Sequence, residues 1–233
     1  MLGPPAHSVR VRESVCPCPW PCSGVSTNAP LMVRSTPVTW TRGEELWTEG
    51  DSADWVLAIC TGAVGLRRGA DAESGRFVDI VVRGEMAGEE AAVSAERPAT
   101  CVGLVAGKGR RLPRRALGEA LRKEPQAWST LMCVSSNRTA TLAQSLESAT
   151  CATVGGRLAT LLLSLGERVG LPDARGTMVP LRLARLDLAA LVGCREETAV
   201  RHMRKWEKAG LVSTTREGFV LRDTDALGAL AAA

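Results

Sequence analysis

Eight cysteines and two histidines set the reach of any metal or thiol chemistry in this chain. Three of the thiols stand together as Cys16-x-Cys18-x3-Cys22, inside the proline-rich stretch SVCPCPWPCSG. Cys60, Cys101, Cys133, Cys151 and Cys194 are scattered through the remainder. Thiolates are soft ligands suited to zinc or to an iron–sulfur cluster, and a cluster requires four of them. Without a ligand, the same stretch reads as a solvated arm or a redox-active thiol pair. The histidines, His7 and His202, are too few for a His-rich metal site or a His-based hydrolase. No nucleophile–base pair, phosphate-binding glycine loop or HExxH-like motif is present, so an enzyme is not expected.

A second kind of chemistry lies near the end of the chain, in LARLDLAALVGCREETAVRHMRKWEKAGLVSTTREGFVLRD. Arg185 to Val192 forms a short amphipathic helix with Leu188, Leu191 and Val192 inward, and Gly193 ends it. Glu196 and Glu197 open the next helix, where carboxylates suit the positive end of the macrodipole. Thr198, Val200, Met203 and Trp206 alternate with Arg201, Arg204, Lys205 and Lys208, so one face packs while the other meets an anion. Gly210 caps this helix, and two short strands around Arg216-Glu217-Gly218 make a wing. Helix, glycine turn, basic helix and hairpin are the parts of a winged helix-turn-helix.

These groups must be positioned by the preceding chain. Residues 1–37 are rich in Pro, Ser and Cys and lack a sustained period, which predicts an arm. Over 38–125, short apolar runs alternate with glycine-centred turns, as an antiparallel barrel or sandwich requires. PRRALGEALRKEP then reads as a short basic helix ended by Pro125. Some 40 residues with few helix breakers follow. Leu131, Val134, Arg138, Leu142 and Leu146 recur there every three or four positions, and this stripe is a natural dimer seam or a core helix. GLPDARGTMVP is a Pro/Gly loop. The expected organisation is an arm (1–37), a β-barrel sensor domain (38–125), a dimerisation helix (126–150) and a winged helix-turn-helix domain (151–233). At 233 residues and 45% hydrophobic, the chain can bury a core, and its net charge of +4 suits a nucleic-acid partner. No apolar run approaches the ~20 residues needed to span a bilayer, and no apolar signal region opens the chain. A cytosolic setting with reduced thiols is therefore expected.

DLAALVGCREETAVRHMRKWEKAGLV resembles the DNA-binding motif of the cyclic-AMP receptor protein / fumarate-nitrate reduction regulator family. RGEELWTEGDSADWVLAICTGAVGL, VVRGEMAGEEAAV and ERPATCVGL stand in that family's order for its cyclic-nucleotide-binding-like barrel. The resemblance runs from about residue 38 to 230. It implies an α+β protein with a jelly-roll β-barrel, a long dimerisation helix and a C-terminal winged helix-turn-helix. The implied partners are double-stranded DNA, a second copy of the chain and RNA polymerase. The family's base-reading glutamate falls on Glu197 and its base-contacting arginine on Arg201. A carboxylate can accept from cytosine N4 and an arginine can fork onto guanine O6 and N7. Arg195, Thr198, Arg204 and Lys205 are placed for phosphate. Glu196 stands where relatives often carry another arginine, a departure that alters the expected target. His202 reads as a phosphate contact or an exposed residue.

In nucleotide-binding members a Gly-Glu pair holds the ribose and an Arg-Ser pair the cyclic phosphate. Gly88-Glu89 and Arg97 occupy those slots here, but Pro98 replaces the serine and supplies neither hydroxyl nor N–H. Leu142-Ala143 stands where relatives present a Thr-Ser pair to the purine. These losses argue against cyclic AMP and leave Glu89 and Arg97 as an expected structural ion pair. Iron–sulfur members place a cysteine cluster before the barrel and recruit a fourth cysteine from the sensor domain. By that resemblance Cys16, Cys18 and Cys22 would hold a [4Fe–4S] cluster responsive to oxygen or nitric oxide. The family's internal cysteine falls near Gly107-Lys108, and of Cys60 and Cys101 on the expected strands, Cys101, next to the Arg-Pro-Ala-Thr segment, is taken as the fourth ligand. Two other readings stay open: a regulator that takes a cyclic nucleotide or other small ligand and has a cofactor-free arm, and a thiol or zinc protein without sequence-specific DNA binding.

Overall fold

A computed structural model describes residues 34–69, 76–123, 125–151 and 153–232. Among them the strands make two antiparallel sheets, one of six strands and one of four. The first contains β1 (Thr36–Trp40), β2 (Glu45–Trp47), β3 (Trp55–Arg67), β4 (Phe77–Val82), β5 (Met86–Ala87) and β6 (Thr100–Pro113). The path runs β1-β6-β3-β4, with β2 on β6 and β5 on β3, which gives an open jelly-roll-like arrangement and not a closed barrel. The long central strands β3 and β6 carry register shifts between Ile59 and Val64, and such irregularities let one strand bend through two parts of a roll.

Alternation of side chains feeds an aromatic core. Trp47 and Trp55 meet edge to face at 4.9 Å, and with Trp40 they pack on Leu57, Val64, Val81 and Cys101. The Trp40 indole lies on β6 over Gly107, where an added Cβ would sit 2.2 Å from the Thr61 carbonyl and 2.5 Å from the ring. A side chain there would displace both.

Helix α1 (Arg114–Lys123) buries Ala116, Leu117, Ala120 and Leu121 against the roll. Helix α2 (Pro125–Cys151) follows, and α3 (Val154–Val169) begins after Thr153, whose hydroxyl accepts from the Gly156 N–H at 3.0 Å. That cap divides the breaker-poor run, because it satisfies an orphan N–H and starts a new helix.

The predicted stripe on α2 divides as well. Leu131 is buried with Ala127, Val134 packs beside them, and Arg138 turns into the roll. Leu142 and Leu146 are exposed, as are Trp128 and Met132. At about 100° per residue these last four lie within roughly 40° of one line, and Leu131 and Arg138 lie about 60–80° to one side of it, next to Leu142.

The last unit contains β7 (Leu171–Asp173), β8 (Gly176–Val179), α4 (Arg185–Val192), α5 (Glu196–Lys208), β9 (Val212–Thr214), β10 (Phe219–Leu221) and α6 (Thr224–Ala231). The segment read as a Pro/Gly loop is a hairpin, and it joins the wing in the order β7-β8-β10-β9. Its turn is fixed by Asp173, which accepts from the Arg175 N–H at 3.0 Å, and Val179 pairs with buried Phe219. The roll, α3 and this unit share one apolar core, in which Ala63, Ile80, Val82 and Leu104 meet Leu158, Leu162, Leu165 and Leu188. Two ion pairs span the same seam. Arg42 forks onto Asp187 at 3.0–3.2 Å, and Arg168 reaches Glu85 at 2.6–2.7 Å. No helix among the described residues is long and apolar enough to cross a membrane.

Candidate nucleic-acid interface and sensor pocket

Helix α4 is started by Asp187, which accepts from the Ala184 N–H at 3.0 Å, and ended by Gly193 in the left-handed region at φ 68°. Glycine carries that conformation without the Cβ clash that other residues meet, so the chain turns sharply into α5. Helix α5 then buries Ala199, Met203 and Trp206, each at most 3% exposed, which anchors one face in the core of the unit. The opposite face presents Glu196, Glu197, Val200, Arg201, Arg204, Lys205 and Lys208 along an open surface. Glu197 and Arg201 are both exposed and one turn apart, as expected. Arg195, Arg204 and Lys205 are exposed beside them, and Thr198 is half-buried at the first turn. The polar side chains named from the sequence thus lie on one helix and its entry, and none of the charged ones is drawn into the core.

His202 departs from its expectation. It is half-buried, tilted against Trp206 with ring centroids 5.9 Å apart, and its ring abuts Gly155 at the start of α3. Burial, with Arg201 and Lys205 nearby, lowers its pKa below the ordinary value.

The polar groups of the roll have a different fate. Arg97 is 1% exposed, with its guanidinium 4.2 Å from the Trp47 ring and 5.5 Å from that of Trp55. It pairs with Glu90 at 2.9 Å and donates to the Trp55 carbonyl. Gly88, at φ 84°, leaves room for this, since an added Cβ would lie 2.5 Å from the Arg97 Nη1. The expected Glu89–Arg97 pair is therefore not formed. Glu89 instead binds Arg138 of α2, which also holds Asp79 at 2.9 Å and donates to the Met86 carbonyl at 3.0 Å. Burial raises the pKa of both Asp79 and Glu89, and Arg138 beside them pulls each back down. Burial lowers that of Arg138, but its two carboxylate partners raise it above the ordinary value overall. Desolvated charges persist when each has a partner, and here each partner comes from another element.

Family models match this chain in series, a cyclic nucleotide-binding domain over residues 37–124 and a Crp-like helix-turn-helix domain over 156–230. The chain belongs to the cyclic-AMP receptor protein / fumarate-nitrate reduction regulator family. It is 24% identical over 203 residues to a CRP-like cAMP-activated global transcriptional regulator of Mycobacterium tuberculosis, covering 87% of this chain and 91% of that protein. Among solved structures it resembles FixK2 from Bradyrhizobium japonicum, with TM-score 0.76 and 22% identity, covering 85% of this chain and 98% of that one. It also resembles a CooA mutant from Carboxydothermus hydrogenoformans, with TM-score 0.70 and 15% identity, covering 87% and 90%. Members of this family are DNA-binding transcription regulators and not enzymes, and this one carries the family's nucleotide-binding-type domain.

Within that family frame the cysteines part company. Cys16, Cys18 and Cys22 lie outside the described residues. Cys101, the expected fourth ligand, is fully buried on β6 in the tryptophan core, where burial pushes its thiol well above the ordinary range. A thiol so enclosed fits a small core side chain and does not fit a thiolate ligand. Among the described residues no group of three or more His, Cys, Asp or Glu is placed to hold a metal ion.

Sequence reasoning did not assign partners to Arg138 and Asp79. The signal was an arginine inside an otherwise apolar helical stripe, which points to a buried carboxylate partner.

Proposed function

We propose that the protein is a dimeric, sequence-specific regulator of transcription that inserts α5 into the major groove of each half of a pseudo-palindrome. The observation that carries this reading is the exposed Glu197–Arg201 pair on a helix whose other face is fixed in the core. Glu197 accepts from cytosine N4 and Arg201 forks onto guanine, while Arg195, Thr198, Arg204 and Lys205 hold phosphates. The exposed line of Trp128, Met132, Leu142 and Leu146 on α2 is the seam for the second copy. RNA polymerase is the partner in a cytoplasmic setting.

The roll of this regulator does not take cyclic AMP. Its would-be phosphate arginine is enclosed by two tryptophans, its would-be ribose glutamate is held by Arg138, and Pro98 offers no donor. An iron–sulfur cluster lacks a fitting fourth ligand in Cys101. Selection of binding sites from randomised duplexes tests the DNA reading. The wild type should enrich one half-site, and Arg201→Ala should lose preference at one position in it. Unchanged selectivity in that variant removes the assignment.

A further inference from the structure

A shallow groove on the outer side of α1 belongs neither to the DNA face nor to the sensor pocket. Its floor is Ala91 and Ala92, from the one-turn helix Glu89–Ala92, together with Pro113 and Gly118. Arg114, Arg115 and Arg122 rim it, against the one lining carboxylate, Asp54. Arg115 pairs with Glu119 at 3.3 Å, one turn further along α1.

Gly118 is the residue that needs explaining. Inside a helix, glycine forgoes stability that alanine would supply. Nothing within the molecule calls for it, because an added Cβ would meet only the Arg122 Nη1, at an ordinary 3.6 Å. It leaves a bare patch of backbone between Arg115 and Arg122, which stand three and four positions away on the same side of the helix. A flat ring can lie on such a patch with guanidinium groups at its face. The chain makes that pairing elsewhere, with Arg97 over Trp47 at 4.2 Å and Arg111 over Trp55 at 4.4 Å.

The same chain brings a ring to this place. Thr36 of β1 lies opposite Arg111 of β6, so the residues before β1 enter beside the start of α1. Arg34 then pairs with Glu119, the carboxylate that also holds Arg115. The preceding segment therefore departs from the edge of the groove. Trp20 stands in that segment, outside the described residues, between Pro19 and Pro21. The chain from Trp20 to Arg34 can reach up to about 45 Å, whereas the ten residues of α1 extend about 15 Å. The flanking prolines restrict the backbone and so lower the entropy lost on docking. A short tether holds the ring near the groove at an effective concentration in the millimolar range, above that of a separate partner.

We infer that residues 14–24 dock in this groove, with the Trp20 ring seated on Gly118 between Arg115 and Arg122. Docking carries Cys18 and Cys22, each two residues from Trp20, to a cationic rim that favours thiolates. It also ties the arm to the helix that leads into α2 at Pro125.

The test is 19F NMR of the full-length protein labelled with 5-fluorotryptophan, in which Trp20→Phe assigns the Trp20 resonance by its loss. In the wild type this resonance should lie apart from its position in a synthetic peptide of residues 10–30. It should also shift less than the peptide's between H2O and D2O. Return toward the peptide values in either Arg122→Gln or Gly118→Ala is the expected result. Both substitutions lie on the outer side of α1, and Gly118→Ala should leave the thermal midpoint equal or higher while it displaces the ring. A wild-type resonance at the peptide position overturns the proposal and leaves the groove to a separate partner. A displaced resonance that both substitutions leave in place overturns it as well. The readout needs no DNA, so its failure is separate from a failure of the DNA-binding reading.

Discussion

The roll and α5 use the same residue types for opposite ends. Glu89, Asp79, Arg97 and Arg138 are held inside or beside the roll by ion pairs, carbonyls and tryptophan faces. Glu197, Arg201, Arg204 and Lys205 stand on a helix face open to solvent. The difference is set by what the opposite side of each element does. Helix α5 sends Ala199, Met203 and Trp206 inward and so frees its charges, whereas the charges of the roll and α2 face one another across a seam. Charge type alone says little about role, and the partner within reach decides it.

The sharpest way to break this comparison is to remove Arg138. Arg138→Ala leaves Asp79 and Glu89 buried without their cation, and loss of one partner in such a cluster costs about 3–5 kcal/mol. Urea unfolding should show that loss at neutral pH, with DNA contacts themselves untouched. The loss should shrink as pH falls. Burial raises both acids and Arg138 opposes that rise, so without Arg138 the variant's folded state takes up protons at higher pH than the wild type's and recovers stability as pH falls through that titration.

On the exposed side the expected loss is smaller and of another kind. Arg201→Ala should cost about 1–3 kcal/mol of discrimination at one base pair per half-site, with an unchanged unfolding midpoint. Lys205→Ala should weaken binding to all sequences alike and lower the salt slope by about one for each phosphate left without its cation. Both are read by fluorescence anisotropy over a salt series. The smallest effect is expected at the seam between the units. Arg42→Ala removes a pair whose arginine is half-exposed, so stability should fall by about 1 kcal/mol or less. A larger loss would mean that this pair, and not the shared core, fixes the winged unit on the roll.

The sequence made the winged unit legible almost residue by residue, because amphipathic period, Gly193 and the wing turn are local signals. Helix α4 spans Arg185–Val192, as read from Leu188, Leu191 and Val192. The roll was legible as a class through its glycines and short apolar runs, but its pairings were not, since register between β3 and β6 depends on distant contacts. The β7–β8 hairpin was missed because proline and glycine mark turns without saying whether strands flank them. Arg97 was read beside the wrong glutamate for a similar reason. Glu89 and Glu90 are neighbours in sequence, and only the packing of α2 decides which of them Arg138 takes. Cys101 looked available on a strand, and its enclosure by Trp47 and Trp55 is a tertiary fact.

One measurement bears on both halves of the account together. Anisotropy of a selected duplex, titrated with the full-length protein with and without millimolar cyclic AMP, reads the exposed helix and the enclosed pocket in one experiment. The account predicts salt-steep, sequence-selective binding with the same midpoint in both conditions. A midpoint that tightens about tenfold with cyclic AMP, a coupling of roughly 1.4 kcal/mol, would contradict it.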